Sequence, residues 1–123
     1  MVASGNLLGE SVRVGACLEG VTLKVSKVYR VDAGDEAAGQ PRTWTFIEFE
    51  VPDDDAGRLA KRLSEVLDPK HGWYCDFRTP EETFVVFSGR QFRYRRGDRA
   101  ARAEAEDYAR SVGVPESQLD WRE

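Results

Sequence analysis

Apolar and polar positions change period several times along this chain, and each change marks an element. The clearest stretch is 72–96, GWYCDFRTPEETFVVFSGRQFRYRR. Residues 73–78 alternate Trp73, Cys75 and Phe77 against Tyr74, Asp76 and Arg78. Residues 83–88 form an apolar run, and 91–95 alternate Phe92 and Tyr94 against Arg93 and Arg95. Period two is the signature of a strand with one buried face. We therefore expect three consecutive strands, joined by a connector at 79–82 and a tight turn at Ser88-Gly89. The side chains at 74, 76, 78, 93 and 95 are expected to point together, away from the helices.

Upstream, Val12, Val14, Ala16 and Leu18 alternate, and Glu19-Gly20 offers a two-residue turn. A second strand returns through Val21, Leu23, Val25, Tyr29 and Val31, with a bulge or strand end expected at 26–28, where Lys27 interrupts the apolar side. The third strand, 43–51, has two unlike faces. Thr45, Ile47, Phe49 and Val51 make a core side, whereas Trp44, Phe46, Glu48 and Glu50 make the other. Two large aromatics beside two carboxylates are not an ordinary solvated face.

Pro52 ends that strand, and Asp53-Asp54-Asp55 supplies a helix N-cap with acidic charge at the positive end of the dipole. The helix runs to about Leu67, with Leu59, Leu63, Val66 and Leu67 on one stripe. A last helix begins after Gly97-Asp98 and presents Ala101, Ala105, Tyr108, Ala109 and Val112 on one side, with Gly113 as its stop. Beyond Val114-Pro115, a short turn is expected to carry Leu119 and Trp121 back onto the body. Residues 1–10 are small, polar and glycine-bearing, and read as disordered. Residues 32–41, DAGDEAAGQP, read as a mobile loop.

The pattern predicts a single α+β domain over 1–123. The expected architecture is a two-layer sandwich with a mostly antiparallel sheet of about six strands, in the order βββαβββα, and two helices packed on one face. The connection from strand three through the first helix to strand four resembles a split βαβ unit, a likeness of shape that does not fix function.

Composition adds little to the fold but narrows the chemistry. A net charge of −4 argues against generic binding to nucleic acid or anionic membrane. No apolar run approaches the roughly 18 residues of a membrane span, and the first residues lack the basic start and apolar core of a secretory signal, so the expected location is cytoplasmic. Fourteen arginines to four lysines, with one asparagine and one isoleucine, fit a GC-rich bacterial genome. No cofactor is implied. Glycine-rich phosphate loops are lacking, because Gly34 and Gly39 have no strand-to-helix context.

Catalytic arrangements are thin. His71 is the single histidine, close in sequence to Cys75, yet Cys75 is expected in the core and His71 at the sheet edge. A buried thiol is ordinarily inert. Zinc binding through His71, Cys75 and Asp76 lacks a second ligand pair of suitable spacing. Helix initiation accounts for the acidic triplet without a metal. The cluster Arg90, Arg93, Arg95, Arg96, Arg99 and Arg102 resembles an RNA-binding strand superficially, but Phe92 and Tyr94 are needed for the core.

The unusual surface is the expected face of Trp44, Phe46, Glu48, Glu50, Tyr74, Asp76, Arg78, Arg93 and Arg95. Aromatic residues beside arginine make good interface anchors. The leading expectation is a non-catalytic binding or assembly module that covers this face with a protein partner, most simply as a homodimer. The alternative is a small enzyme or small-molecule binder, with a polar or anionic ligand between the sheet face, the 32–41 loop and Trp121. A pocket of several hundred cubic ångströms holding a carboxylate of raised pKa would favour the alternative. Nucleic-acid binding through the 90–102 arginines is a third reading.

Cys17 and Cys75 fall on opposite faces by alternation, so both are expected as free thiols. Intact mass should equal the fully reduced value; a mass about two daltons lower would show a bridge.

Overall fold

The computed structural model describes residues 1–34 and 39–121. Six strands form one antiparallel sheet: β1 (Val2–Leu8), β2 (Lys24–Asp32), β3 (Thr43–Pro52), β4 (Cys75–Arg78), β5 (Glu82–Phe87) and β6 (Arg90–Arg95). Two helices, α1 (Ala56–Val66) and α2 (Arg99–Ser111), complete the order βββαβββα. The strands lie side by side as β2-β3-β1-β4-β5-β6. The α+β class and the six-strand antiparallel sheet are as expected. Since β3 and β4 both run antiparallel to β1, they are parallel to each other with β1 between them, which makes β3-α1-β4 a split βαβ unit.

The first strand is not the one the alternation predicts. Residues 1–10, expected to be disordered, contain β1, which pairs with β3 along its whole length and with β4 from Ser4 to Asn6. Ala3 and Leu7 sit on its buried side and are core residues. Gly5 explains why the segment looks unstructured. A Cβ there would lie 2.5 Å from the Asp76 carbonyl oxygen and 2.6 Å from Phe77 Cβ. The glycine permits close approach of β4, a role glycine takes inside sheets.

The expected strand at 12–18 is instead an irregular strap. Val12 makes a single bridge to Leu67, and Arg13 N–H donates to the Val66 carbonyl at 2.8 Å. Gly15 and Gly20 have φ of 94° and 83°, left-handed values that interrupt extended chain. Val14 is consequently 99% exposed, while Val12, Ala16, Leu18, Val21 and Leu23 close over the core beside α1. The expected Glu19-Gly20 hairpin is therefore not formed. The bulge is real, however: the β2–β3 register shifts between Val25 and Lys27. On an edge strand, a bulge and the exposed Lys24, Lys27 and Arg30 discourage pairing with another chain.

The helices are divided between the two faces of the sheet, where the sequence suggests one shared face. One apolar cluster joins Leu59, Leu63 and Val66 of α1 to Leu7, Phe49, Phe77, Phe84 and Val86. A second joins Ala105 and Ala109 of α2 to Val85, Phe87, Tyr94, Val114 and Trp121. β5 is the physical reason. Its consecutive residues Phe84, Val85, Val86 and Phe87 are all buried, so both of its sides demand cover.

α1 starts without a side-chain cap; Asp53-Asp54-Asp55 form a 3-10 turn ahead of it, and Asp55 pairs with Arg58 at 3.6 Å. α2 is capped as expected by Asp98, which accepts from Ala101 N–H at 3.1 Å, and Gly113 follows its end with φ of 90°. Within the expected mobile loop, residues 35–38 lie outside the described residues. Its flanks are tied by Ala33 N–H to the Arg42 carbonyl at 2.7 Å and by an Arg42–Asp32 ion pair at 3.0 Å.

Replacing Gly5 with alanine should destabilise the protein by about 2–4 kcal/mol, because the clash is with backbone. Gly9→Ala, whose Cβ would meet Thr45 Cβ at 3.6 Å, should stay within about 1 kcal/mol of the parent. Paired urea titrations check both.

Candidate functional site

Away from α1, the sheet presents three rows of side chains across β3, β1 and β4. Register places Glu50, Ser4 and Arg78 in one row and Glu48, Asn6 and Asp76 in the next. Phe46 and Leu8 begin a third, apolar row, and Tyr74 follows two residues before Asp76. The surface thus grades from ionic to aromatic along the strand direction. α2 covers this face over β5 and β6, leaving the β3-β1-β4 part to be walled by irregular chain.

The C-terminal segment makes that wall. Trp121 is buried, donates its indole N–H to the Tyr94 hydroxyl at 2.8 Å, and lies under the Arg102 guanidinium at 4.8 Å. Arg102 also donates to the Trp121 carbonyl at 2.9 Å and pairs with Glu106 at 3.1 Å. The Tyr74 hydroxyl donates to the Gln118 carbonyl, and its ring meets the Trp121 ring edge-on at 5.4 Å. Opposite, Gln40 is buried and donates to the His71 carbonyl at 2.7 Å. The Gln40 and Gln118 amides also bond each other reciprocally, at 3.2 and 2.9 Å. This pairing binds the end of the 32–41 stretch to the C-terminal segment.

Between sheet and walls is a cavity of about 530 Å³. Leu8, Val31, Pro41, Trp44, Phe46 and Trp73 supply apolar walls, while Asn6, Asp76 and Asp120 supply polar groups. Trp44 meets Trp73 edge-on at 6.0 Å and Phe46 at 6.3 Å, and donates its indole N–H to the Pro41 carbonyl at 2.8 Å. Two shallower hollows continue it along the ionic rows, one bounded by Glu48, Asp76, Arg78 and Trp121, the other by Ser26, Glu48, Glu50 and Arg78.

Asp76 is the chemically distinctive group. Burial pushes its carboxyl up, Arg78 at 3.8 Å pulls it down, and Asp120 pushes it up again, with a net value of about 6. Burial likewise raises the Tyr74 phenol far above its ordinary value, helped by Asp76 and Asp120. Glu48 is held by Lys27 at 3.8 Å.

Seven of the nine residues expected on one surface are brought together here: Trp44, Phe46, Glu48, Glu50, Tyr74, Asp76 and Arg78. Arg93 and Arg95 are not. They lie on the opposite face, where Arg93 pairs with Glu82 at 2.8 Å and stacks over Phe84 at 4.9 Å. The register explains this: Asp76 opposes Val85, and Val85 opposes Phe92, so the residues that share a face with Asp76 are 92 and 94. Trp73 also departs from the alternation. It precedes β4, after His71 and Gly72 with φ of 69° and 67°, and turns into the cavity.

Among the described residues, the other candidate groups are held apart from one another. Cys75 is buried on the α1 side, its thiol donates to the Asn6 carbonyl at 3.4 Å, and burial pushes it well up. It cannot act as a nucleophile with His71, which is exposed. Cys17 and Cys75 are both free. Within the arginine cluster, Arg96 donates to the Thr79 and Pro80 carbonyls, Arg102 binds the C-terminal segment, and Arg90 stacks on Phe92 at 4.7 Å. Asn6, Leu8, Gln40, Gln118 and Asp120 are site residues that sequence reasoning missed. For Asn6 and Leu8 a signal existed: Ala3 and Leu7 have strand parity around a glycine. For Gln40 none did, since a glutamine amide in a polar loop gives no sign of burial. Compared with models of protein families, with curated proteins and with solved structures, the chain gives no match.

The sign of the Asp76 shift fixes a pH effect. Its folded value of about 6 lies above the ordinary 3.8, so the folded state holds the proton more tightly. The ionised carboxylate therefore costs stability, nothing below about pH 4 and fully above about pH 6. Asp76→Asn should stabilise the protein at pH 7.5 by on the order of 1–3 kcal/mol, and the gain should vanish near pH 4. Urea unfolding at the two pH values measures it.

Proposed function

We propose that this chain is a small-molecule-binding protein whose ligand occupies the cavity between the open part of the sheet, the flanks of the 32–41 stretch and the C-terminal segment. The carrying observation is the cavity itself. Its volume of about 530 Å³ falls within the range of roughly 300–1,000 Å³ common to ligand sites, and its aromatic walls surround a few convergent polar groups. A carboxylate with a strongly shifted proton affinity at the floor is a feature concentrated at functional sites.

Asp76 is equipped to exchange a proton near neutral pH, but no activated nucleophile stands beside it among the described residues, and binding is the reading we adopt over catalysis. Two free thiols support a reducing, cytoplasmic setting. Assembly through the same face is the competing reading. β2 is an edge strand, but its exposed Val25 and Val28, at 49% and 59%, oppose Phe49 and Ile47 and so lie on the α1 side rather than on this face. Against assembly, Trp44 and Phe46 already make ring contacts with Trp73 and Tyr29 inside the chain.

A thermal-shift and tryptophan-fluorescence screen of small molecules should give saturable ligands that perturb Trp44 and Trp73. Ala33→Trp, which fills one wall, should abolish their binding while leaving the unfolding midpoint within a few degrees. Light scattering that finds a stable dimer, together with a silent screen, would establish assembly instead.

A further inference from the structure

The cavity has a charge character that selects among ligands, and this inference rests on the small-molecule reading above. Its only charged lining residues, among those described, are Asp76 and Asp120; no lysine, arginine or histidine lines it. The nearest cation to Asp76 is Arg78, 3.8 Å away in the neighbouring ionic row and shared with the hollows beyond. Arg102, which also acts on Asp76 through space, is committed to Glu106 and to the carbonyls of Trp121 and Leu119. Arg93 and Arg95, which would have suited an anion, are on the far side of the sheet.

Three ligand charges can be compared. An anion entering would meet two carboxylates, with no cation among the described lining residues, which is repulsive. A neutral apolar molecule would expel water from Asp76 without replacing its hydrogen bonds, a loss that Arg78 at 3.8 Å offsets only in part. A cation relieves both problems, because it neutralises the Asp76–Asp120 pair and donates hydrogen bonds to the floor. The walls suit the rest of such a ligand. Trp44, Phe46 and Trp73 surround the space and offer apolar area to the body that carries the charge.

We infer that the ligand is an organic cation, an ammonium group attached to an apolar or aromatic body, with the ammonium at Asp76 and Asp120 and the body between Trp44, Phe46 and Trp73. Asn6, opposite both Asp76 and Glu48 in the register, offers an amide oxygen to a second ammonium hydrogen. The aromatic end then sets the size of the body and the acidic end its charge.

The test uses matched triplets, in which one apolar body carries a primary amine, an alcohol or a carboxylate. 2-Phenylethylamine, 2-phenylethanol and 3-phenylpropanoate form the first triplet, followed by larger aryl and branched alkyl bodies. Binding to the intact protein is read by tryptophan fluorescence at pH 7.5. The amine should bind roughly tenfold to a hundredfold more tightly than the alcohol, and the carboxylate most weakly. In Asp76→Asn the amine should lose that advantage while the alcohol keeps its affinity within about twofold, which separates lost recognition from lost folding.

Amine affinity in the parent should also rise between pH 5 and 7.5 and be flat in Asp76→Asn. The groups facing Asp76 are Arg78, Asp120, Arg102, Tyr74 and, along its row, Glu48. Of these Tyr74 is held protonated throughout, because burial raises its phenol. Alcohols or carboxylates that bind as well as their amines would overturn the cation assignment and leave the binding reading standing. A flat pH profile in the parent would do the same. Silence across every triplet and the wider screen would overturn both.

Discussion

The fold depends on the seating of β1 between β3 and β4. Buried amides and carbonyls on both edges of a central strand need partners, since unpaired ones are costly. β1 finds them through seven register pairs to β3 and, from Ser4 to Asn6, three to β4, and Gly5 lets the β4 backbone come close enough. It also fixes which side chains share a surface. Glu48, Asn6 and Asp76 form a row only because β1 sets the register of its two neighbours. Without it, β3 and β4 would have no common floor.

The second constraint is the doubly apolar β5. A strand buried on both sides cannot stand at a sheet whose helices lie on one face alone, so α1 and α2 divide between the faces. The division is unequal. α1 lies along β5 and β6 with its apolar stripe reaching Phe77, Phe49 and Leu7, whereas α2 covers only the β5–β6 end of the other face. The remaining area is closed by the segment 114–121, and the space between that segment and the strands is the cavity.

Much of this was legible in the chain. The stripe of α1, the cap of α2, the three-strand run at 73–95 and the return of Trp121 were all carried by local patterns of period, capping and turn chemistry. The face assignment of Arg93 and Arg95 was legible too, but needed one more step. The Ser88-Gly89 turn sets Phe87 opposite Arg90, so Val85 opposes Phe92 and the arginines fall with Phe84. That step was hidden by the apolar run 83–88, which reads equally well as buried on one side or two. The first strand was harder. Its sequence is small and polar because packing needs Gly5 there, while Val12, Val14, Ala16 and Leu18 imitate a strand that Gly15 and Gly20 forbid. Asp76 shows the limit of local reading. Its unusual proton affinity comes first from burial beneath a segment whose path the sequence only sketches, and then from Asp120, 44 positions away.

The Gln40–Gln118 amide pair joins two irregular segments above a floor made of regular strand. Hydrogen-bonded central strands open only with the whole molecule, while such connections can part locally. Division of labour follows for evolution as well as for motion. Substitutions at 33, 39–41 and 117–121 resize the chamber without touching the sheet, so, on the binding reading proposed above, one guest can be traded for another while the acid beneath stays put.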